Sequence, residues 1–379
     1  MVKFVVCLLF LSLTSSAPSW CDAASSFSSG SLRSLQMAIL MFRHGDRSPI
    51  TTYPTDPHKD YPWIGGYVAL QPKGIQHMYE LGKSLRSRYG ILLPDHGMYT
   101  KNTTLVVSSA SERCVLSAQS LMASFYQPPK NANLSIGWQP VPLEVLSFED
   151  DIILGQRRNC PKLDAVRQVL LESPTAEFAE WHRKGMALKD YISEQTNTSI
   201  PTFNRLFEIC DALQIQHENG LYLPHWAAKI FPEQASEFSQ GYLLTFSATD
   251  ELKKIRGGAI LKDLVEKLKA KRDGTLSPNR SLFFYSAHDA ALSNLCNTLG
   301  LESLVKKRAE YGATVVFELY ETLGNDMEVR IIYYPTTSTK VPVQIDIPNC
   351  GKPCSLTNFE RSVKHWLLND YDEACKISQ

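Results

Sequence analysis

The chain is 379 residues long and 44% hydrophobic, which provides for a large core arranged as two domains or one elaborated domain. Its 39 basic and 39 acidic side chains cancel to a formal charge of zero, so nothing in the balance points to nucleic acid or to an anionic membrane.

The amino terminus has the pattern of a secretory signal: Lys3, an apolar run from Phe4 to Leu13, then small residues. We assign residues 1–23 to it, and Ser16, Ser19 and Ala23 all suit as the cleavage site. The run is too short for a transmembrane helix, and no later stretch is apolar for long enough to cross a bilayer. The mature protein is expected to be secreted, either extracellular or in the lysosomal lumen reached by the same route. Acceptor sequons for sugar occur at Asn102, Asn133, Asn197 and Asn279. Nine cysteines fall to seven once a signal carrying Cys7 and Cys21 is removed, and an odd number leaves a free thiol. Cys350-Gly-Lys-Pro-Cys354 has the spacing of a small local disulfide loop in an oxidising compartment.

From Met37 to Phe42 an unbroken apolar run reads as a strand buried on both faces. It leads straight into Arg43, His44, Gly45, Asp46 and Arg47, and Pro49 ends the stretch. Ligands of open α/β sheets bind just beyond the carboxyl ends of strands. Two guanidiniums beside an imidazole at such an end suit an anion, most naturally a phosphoryl group. Gly45 is read as letting the backbone come close to that ligand.

A Pro/Tyr/Asp-rich loop from Tyr53 to Tyr67 follows, long enough to form a rim. Helical spacing then runs from Pro72 to Tyr89, a short strand from Thr104 to Val107, and a helix from Glu112 to Tyr126. Between about Leu163 and Gln240 helical periods alternate with Pro and Asn breaks, which predicts a mostly helical insertion whose aromatics form its core. Leu252 to Leu268 continues as helix. Ser281 to Ala287 repeats the first design: a buried strand that ends at His288-Asp289, followed by a helix to Leu299 closed by Gly300. Thr314 to Tyr320 and Val329 to Tyr334 form a hairpin around Gly324-Asn325-Asp326.

Arg43-His-Gly-Asp-Arg-Ser-Pro49 with Ser286-Ala-His-Asp289 resembles the histidine acid phosphatases, among them the prostatic, lysosomal and insect venom enzymes. The likeness covers most of the mature chain and takes in Trp138-Gln-Pro, Asn159-Cys160-Pro, Leu223-Pro224, Gly257-Gly258 and Glu318-Leu-Tyr. It implies a doubly wound, mixed α/β sheet with helices on both faces, of the histidine phosphatase and phosphoglycerate mutase kind. Residues 31–155 and 246–379 would make that domain, and 156–245 a smaller, mostly helical one. It implies hydrolysis of a phosphate monoester, small or carried on a protein, with no cofactor and no metal. His44 would be the nucleophile that takes the phosphoryl group. Arg43, Arg47 and His288 would hold its oxygens, and Asp289 would protonate the leaving alcohol and then activate water. Neighbouring cations should keep His44 neutral, and a facing phosphate should raise the pKa of Asp289. The family often dimerises, but no interface is legible here.

Two departures stand out. The family's third phosphate-binding arginine has Val107 in its place, six residues before Arg113, which predicts a missing clamp. On that ground a secreted binding protein for phosphorylated ligands with weak turnover is the alternative. A phytase-like inositol phosphate phosphatase ranks lower, because the Tyr53 to Tyr67 loop offers only His58 and Lys59 as a basic rim. The resemblance also implies the disulfides Cys160–Cys375 and Cys350–Cys354. Among Cys114, Cys210 and Cys296 one bridge is expected, with Cys114–Cys296 as the pair.

Overall fold

A computed structural model describes residues 34–377 apart from positions 96, 130, 131, 133 and 323–325. The signal segment and Asn133 therefore lie outside the described residues. In chain order come β1 (Leu35–Arg43), α1 (Pro72–Tyr89), β2 (Thr104–Ser109), α2 (Glu112–Phe125) and β3 (Glu144–Leu146). Helices α3 (Pro161–Glu172), α4 (Ala176–Thr196), α5 (Phe203–Glu218), α6 (Glu233–Leu244) and α7 (Asp250–Arg272) follow. Then come β4 (Leu282–Ala287), α8 (Asp289–Thr298), β5 (Thr314–Glu321), β6 (Met327–Tyr334) and β7 (Val343–Ile345).

The seven strands form one mixed sheet in the order β3-β2-β4-β1-β5-β6-β7. β1 lies at its middle, parallel to β4 and antiparallel to β5. Side chains alternate across a strand, so an all-apolar β1 can face two cores at once. Ala38, Leu40 and Phe42 point into the cluster built with α1 and α2. Met37, Ile39 and Met41 point into the opposite one, with α7, α8 and the C-terminal helix Leu356–Val363.

The register of this pairing positions the site. Arg43 sits opposite Ala287, and the His44 amide donates to the Ala287 carbonyl at 3.1 Å. The residues that leave β1 and β4 therefore emerge side by side. β2 flanks β4 on its other side, with Ser108 opposite Ser286, so the turn from β2 into α2 opens onto the same edge.

The residues of α4, α5 and α6 close a separate apolar cluster that includes Phe203, Phe207 and Phe238. Trp181 stacks on Phe238 with ring centroids 5.5 Å apart, and Tyr191 and Trp226 pack at the cluster's edge. Tyr53, from the loop after β1, is buried in it as well.

Cys160 bonds to Cys375 with an S–S distance of 2.02 Å, and Cys350 is bridged to Cys354. The expected third bridge is not formed, and Cys114, Cys210 and Cys296 are buried free thiols. Cys296 belongs to the cluster of α7 and α8, and Cys210 to that of α4–α6, so the two lie in different cores. Cys114 sits under His288 instead, with its Sγ 3.5 Å from Nε2. Burial pushes each of the three thiols up to about 12. Asn102, Asn197 and Asn279 are exposed, and among the described residues no helix is long and apolar enough to cross a membrane.

Candidate active site

The loop that leaves β1 carries His44, whose Nδ1 lies 2.9 Å from the Gly45 carbonyl. A carbonyl can only accept, so the ring proton sits on Nδ1 and Nε2 keeps its lone pair. Arg113, in the first turn of α2, donates from Nε to that lone pair at 3.1 Å. Its Nη2 donates to Nδ1 of His288 at 3.2 Å, which leaves the His288 proton on Nε2, facing Ser109 Oγ at 3.1 Å. The two imidazoles stand edge to face with centroids 5.4 Å apart.

Asp289 opens α8. Its Oδ1 accepts from the Ala290 amide at 2.9 Å. Its Oδ2 meets Arg308 Nε at 2.7 Å and Arg43 Nη2 at 3.2 Å. Arg43 also donates to the Ala309 carbonyl at 2.6 Å and lies 3.9 Å above the Tyr311 ring. Arg47 forms a two-pronged pair with Asp211 of α5, both contacts at 2.9 Å. Asp211 accepts in addition from Arg308 at 3.0 Å and from the Ile50 amide at 3.2 Å.

All five residues predicted from sequence, Arg43, His44, Arg47, His288 and Asp289, thus come together at the carboxyl ends of β1 and β4. Asp46, between them in sequence, pairs instead with His77 of α1 at 2.7 Å. Gly45 has a different role from the one expected: a Cβ there would lie 2.7 Å from the Gly74 carbonyl and 2.9 Å from Met78. What comes close to it is helix α1.

The geometry adds Arg113, Asp211, Arg308 and Tyr311. Asp211 had a usable signal, since a carboxylate set between Ile209-Cys210 and Ala212-Leu213 must find a buried cation. Val107 is not a gap in the site. It is 5% exposed within the apolar cluster of β4, α7 and α8, and Arg113 places a guanidinium on both histidines.

Four guanidiniums (Arg43, Arg47, Arg113, Arg308) face two carboxylates (Asp211, Asp289), a surplus of two positive charges that a phosphate dianion would neutralise. His44 is 2% exposed and Asp289 8%, so the charges act with little water between them. Burial, then Arg113 and Arg43, hold His44 well below the ordinary imidazole range. Burial and Arg113 bring His288 down to about 3. Burial alone would push the carboxyls up, but arginines overrule it: Arg47 and Arg308 keep Asp211 at about 2, and Arg308 and Arg43 hold Asp289 well below the carboxylate range. Among these arginines the Asp289 carboxyl is therefore ionised.

The sequence pattern of the histidine phosphatase superfamily (branch 2) matches residues 34–334. The lysosomal acid phosphatase of Rattus norvegicus is 28% identical over 355 residues, spanning 91% of this chain and 81% of that protein. The prostatic acid phosphatase of Homo sapiens is 28% identical over 354 residues, 90% of this chain and 88% of that one. Among solved structures, the apo form of the Hafnia alvei phytase superposes with a TM-score of 0.64 at 16% identity, covering 91% of this chain and 99% of its own. The Citrobacter braakii phytase gives 0.63 at 16%, covering 92% and 100%. At that identity the likeness shows a shared fold.

Proposed function

This chain belongs to branch 2 of the histidine phosphatase superfamily, and on that premise we propose that it is a secreted, glycosylated acid phosphatase working through a phosphohistidine. The observation that carries the reading is His44: Nδ1 tied to a carbonyl, Nε2 unprotonated, and the guanidiniums of Arg113, Arg43 and Arg47 acting on it. A phosphate monoester would seat its oxygens among Arg43, Arg47, Arg113 and His288 and draw Arg113 off the Nε2 lone pair. Nε2 then attacks phosphorus in line, and the ester oxygen leaves opposite with a proton from Asp289, whose pKa the facing phosphate raises. In the second step water attacks the phosphohistidine while the Asp289 carboxylate takes its proton, and inorganic phosphate departs. Hydrolysis of p-nitrophenyl phosphate across the acidic range tests the activity. A protein inert at every pH would overturn it.

Arg113 would serve as the clamp expected at position 107. Replacing it with Met should lower kcat/KM by about 10²- to 10³-fold and weaken product inhibition by inorganic phosphate. Steady-state kinetics check both, and a loss below about threefold would remove Arg113 from the phosphate site.

The depressed imidazoles fix the sign of a pH effect on stability. Below about pH 6.5 the unfolded chain protonates both histidines, whereas the folded one resists, so acid favours unfolding. Each neutral buried imidazole costs up to about 1.4 kcal/mol per pH unit below that point, until His288 itself titrates near 3. Bound phosphate should relieve the strain of the cation cluster and let His288 charge. Thermal melts with and without inorganic phosphate should therefore diverge more at pH 5 than at pH 7.

A further inference from the structure

Beside the phosphate site lies a cavity of about 570 Å³, a size usual for small-molecule sites. Arg43, Arg308 and Tyr311 belong to both, so the leaving group of a bound ester has this space to enter. Its two sides come from different parts of the fold: α5 and α6 supply one, and the loop from Lys306 to Tyr311 before β5 supplies the other. Their charges differ in sign. Among the described residues the helical side carries Glu218, Glu233 and Glu237 and no lining cation, whereas the loop side carries Lys306 and Lys307 against one acid, Glu310. Arg43 and Arg308 are already engaged by Asp289 and Asp211. Glu218 accepts from Gln214, and Glu237 pairs with Lys184 at 2.7 Å. Glu233, Lys306 and Lys307 have no ion-pair partner among the described residues, and all three are exposed, which puts them at the mouth.

Resting on the phosphatase reading above, we propose that this cavity is a leaving-group subsite that selects free O-phosphorylated amino acids. Glu233 on the helical side takes the α-ammonium, and Lys306 and Lys307 on the loop side take the α-carboxylate. An unpaired carboxylate facing two unpaired ammoniums is complementary to a zwitterion. A leaving group with only a positive charge would meet Lys306 and Lys307 without shielding, and one with only a negative charge would meet three glutamates. Ala235, Ala309 and the Tyr311 ring give the cavity apolar surface for the side chain between phosphate and mouth. The same residue within a polypeptide has amides in place of both charges, so the subsite favours the free amino acid over a phosphoprotein.

Four substrates that share one phenol separate binding of the amino-acid end from the chemistry: O-phosphotyrosine, its N-acetyl derivative, its carboxamide, and the compound blocked at both ends. For purified full-length protein at low salt, kcat/KM should be at least about tenfold higher for O-phosphotyrosine than for the doubly blocked compound, from two ion pairs of up to about fivefold each. Each singly blocked compound should fall between, and added salt should narrow the range. Replacing both lysines, Lys306→Gln with Lys307→Gln, should remove the penalty of the carboxamide and keep that of the acetyl group. Glu233→Gln should lessen the penalty of acetylation and keep that of the carboxamide. The series on the natural protein stands even if a variant fails to fold. Equal values across the four, faster turnover of a blocked compound, or ratios unchanged in both variants overturn the subsite and leave the phosphatase reading intact. No hydrolysis of these four or of p-nitrophenyl phosphate overturns both.

Discussion

Replacing His44 with alanine should abolish turnover of p-nitrophenyl phosphate, with kcat falling by about 10⁴- to 10⁶-fold, the size of loss seen when an attacking residue is removed from a covalent mechanism. The fold should tolerate the change. His44 belongs to neither sheet core, and among the described residues its ring hydrogen-bonds to Gly45 and Arg113 and lies against the His288 and Tyr311 rings. Removing a neutral imidazole from among guanidiniums opens space for water near them, so stability in acid should rise slightly, since one depressed histidine is gone. Steady-state rates and thermal melts on the same preparation separate the two effects. A variant with more than a few per cent of the natural activity would mean that another group attacks phosphorus.

Asp211→Asn should be the most damaging change to stability in the site. Asp211 is fully buried and holds Arg47 in two contacts, Arg308 in one and the Ile50 amide in another. An amide in its place leaves the buried Arg47 without this counter-charge and Arg308 with Asp289 alone, and breaking such a pair from one side costs about 3–5 kcal/mol. The loop after β1 would lose its tie to α5, so phosphate binding should weaken along with stability. The pH sign follows from its pKa near 2. A depressed carboxylate contributes stability above the unfolded value of about 3.9 and loses it as pH falls through the folded value. At pH 5 that contribution is intact, roughly 2 kcal/mol, and below pH 4 it should fade. Denaturant midpoints of the natural and Asp211→Asn proteins should differ strongly at pH 5 and converge toward pH 2. An equal gap at both pH values would show that packing, and not charge, is what Asp211 supplies.

What could be read from the sequence was whatever is local. β1 holds the apolar run Met37 to Phe42 and β4 the run Leu282 to Tyr285, each soon followed by polar residues, so the strands, their burial and the delivery of His44 and His288 were all legible. Helix α1 carries its own punctuation, Pro72 and Gly90, and its observed bounds match the predicted ones. Partners far apart in the chain were not legible. Asp211 reaches Arg47 across 164 positions, and Arg308 reaches Asp211 across 97. Nothing in the periodicity of α5 says which cation its acid will meet. Val107 misled for a related reason: it lies on a strand, while the guanidinium that enters the site comes from Arg113, in the first turn of α2. The free thiols follow the same rule, because cysteine spacing does not reveal that Cys210 and Cys296 belong to different cores.

The whole account depends on a bond between phosphorus and one ring nitrogen. Mixing the protein with p-nitrophenyl phosphate, quenching in alkali within the first turnovers and mapping the phosphopeptide by mass spectrometry tests it directly. A single acid-labile phosphoryl group on the peptide that holds His44, absent from the His44→Ala protein, is the predicted result. A phosphoryl group on another residue, or full activity with no phosphorylated peptide at any time, would contradict it.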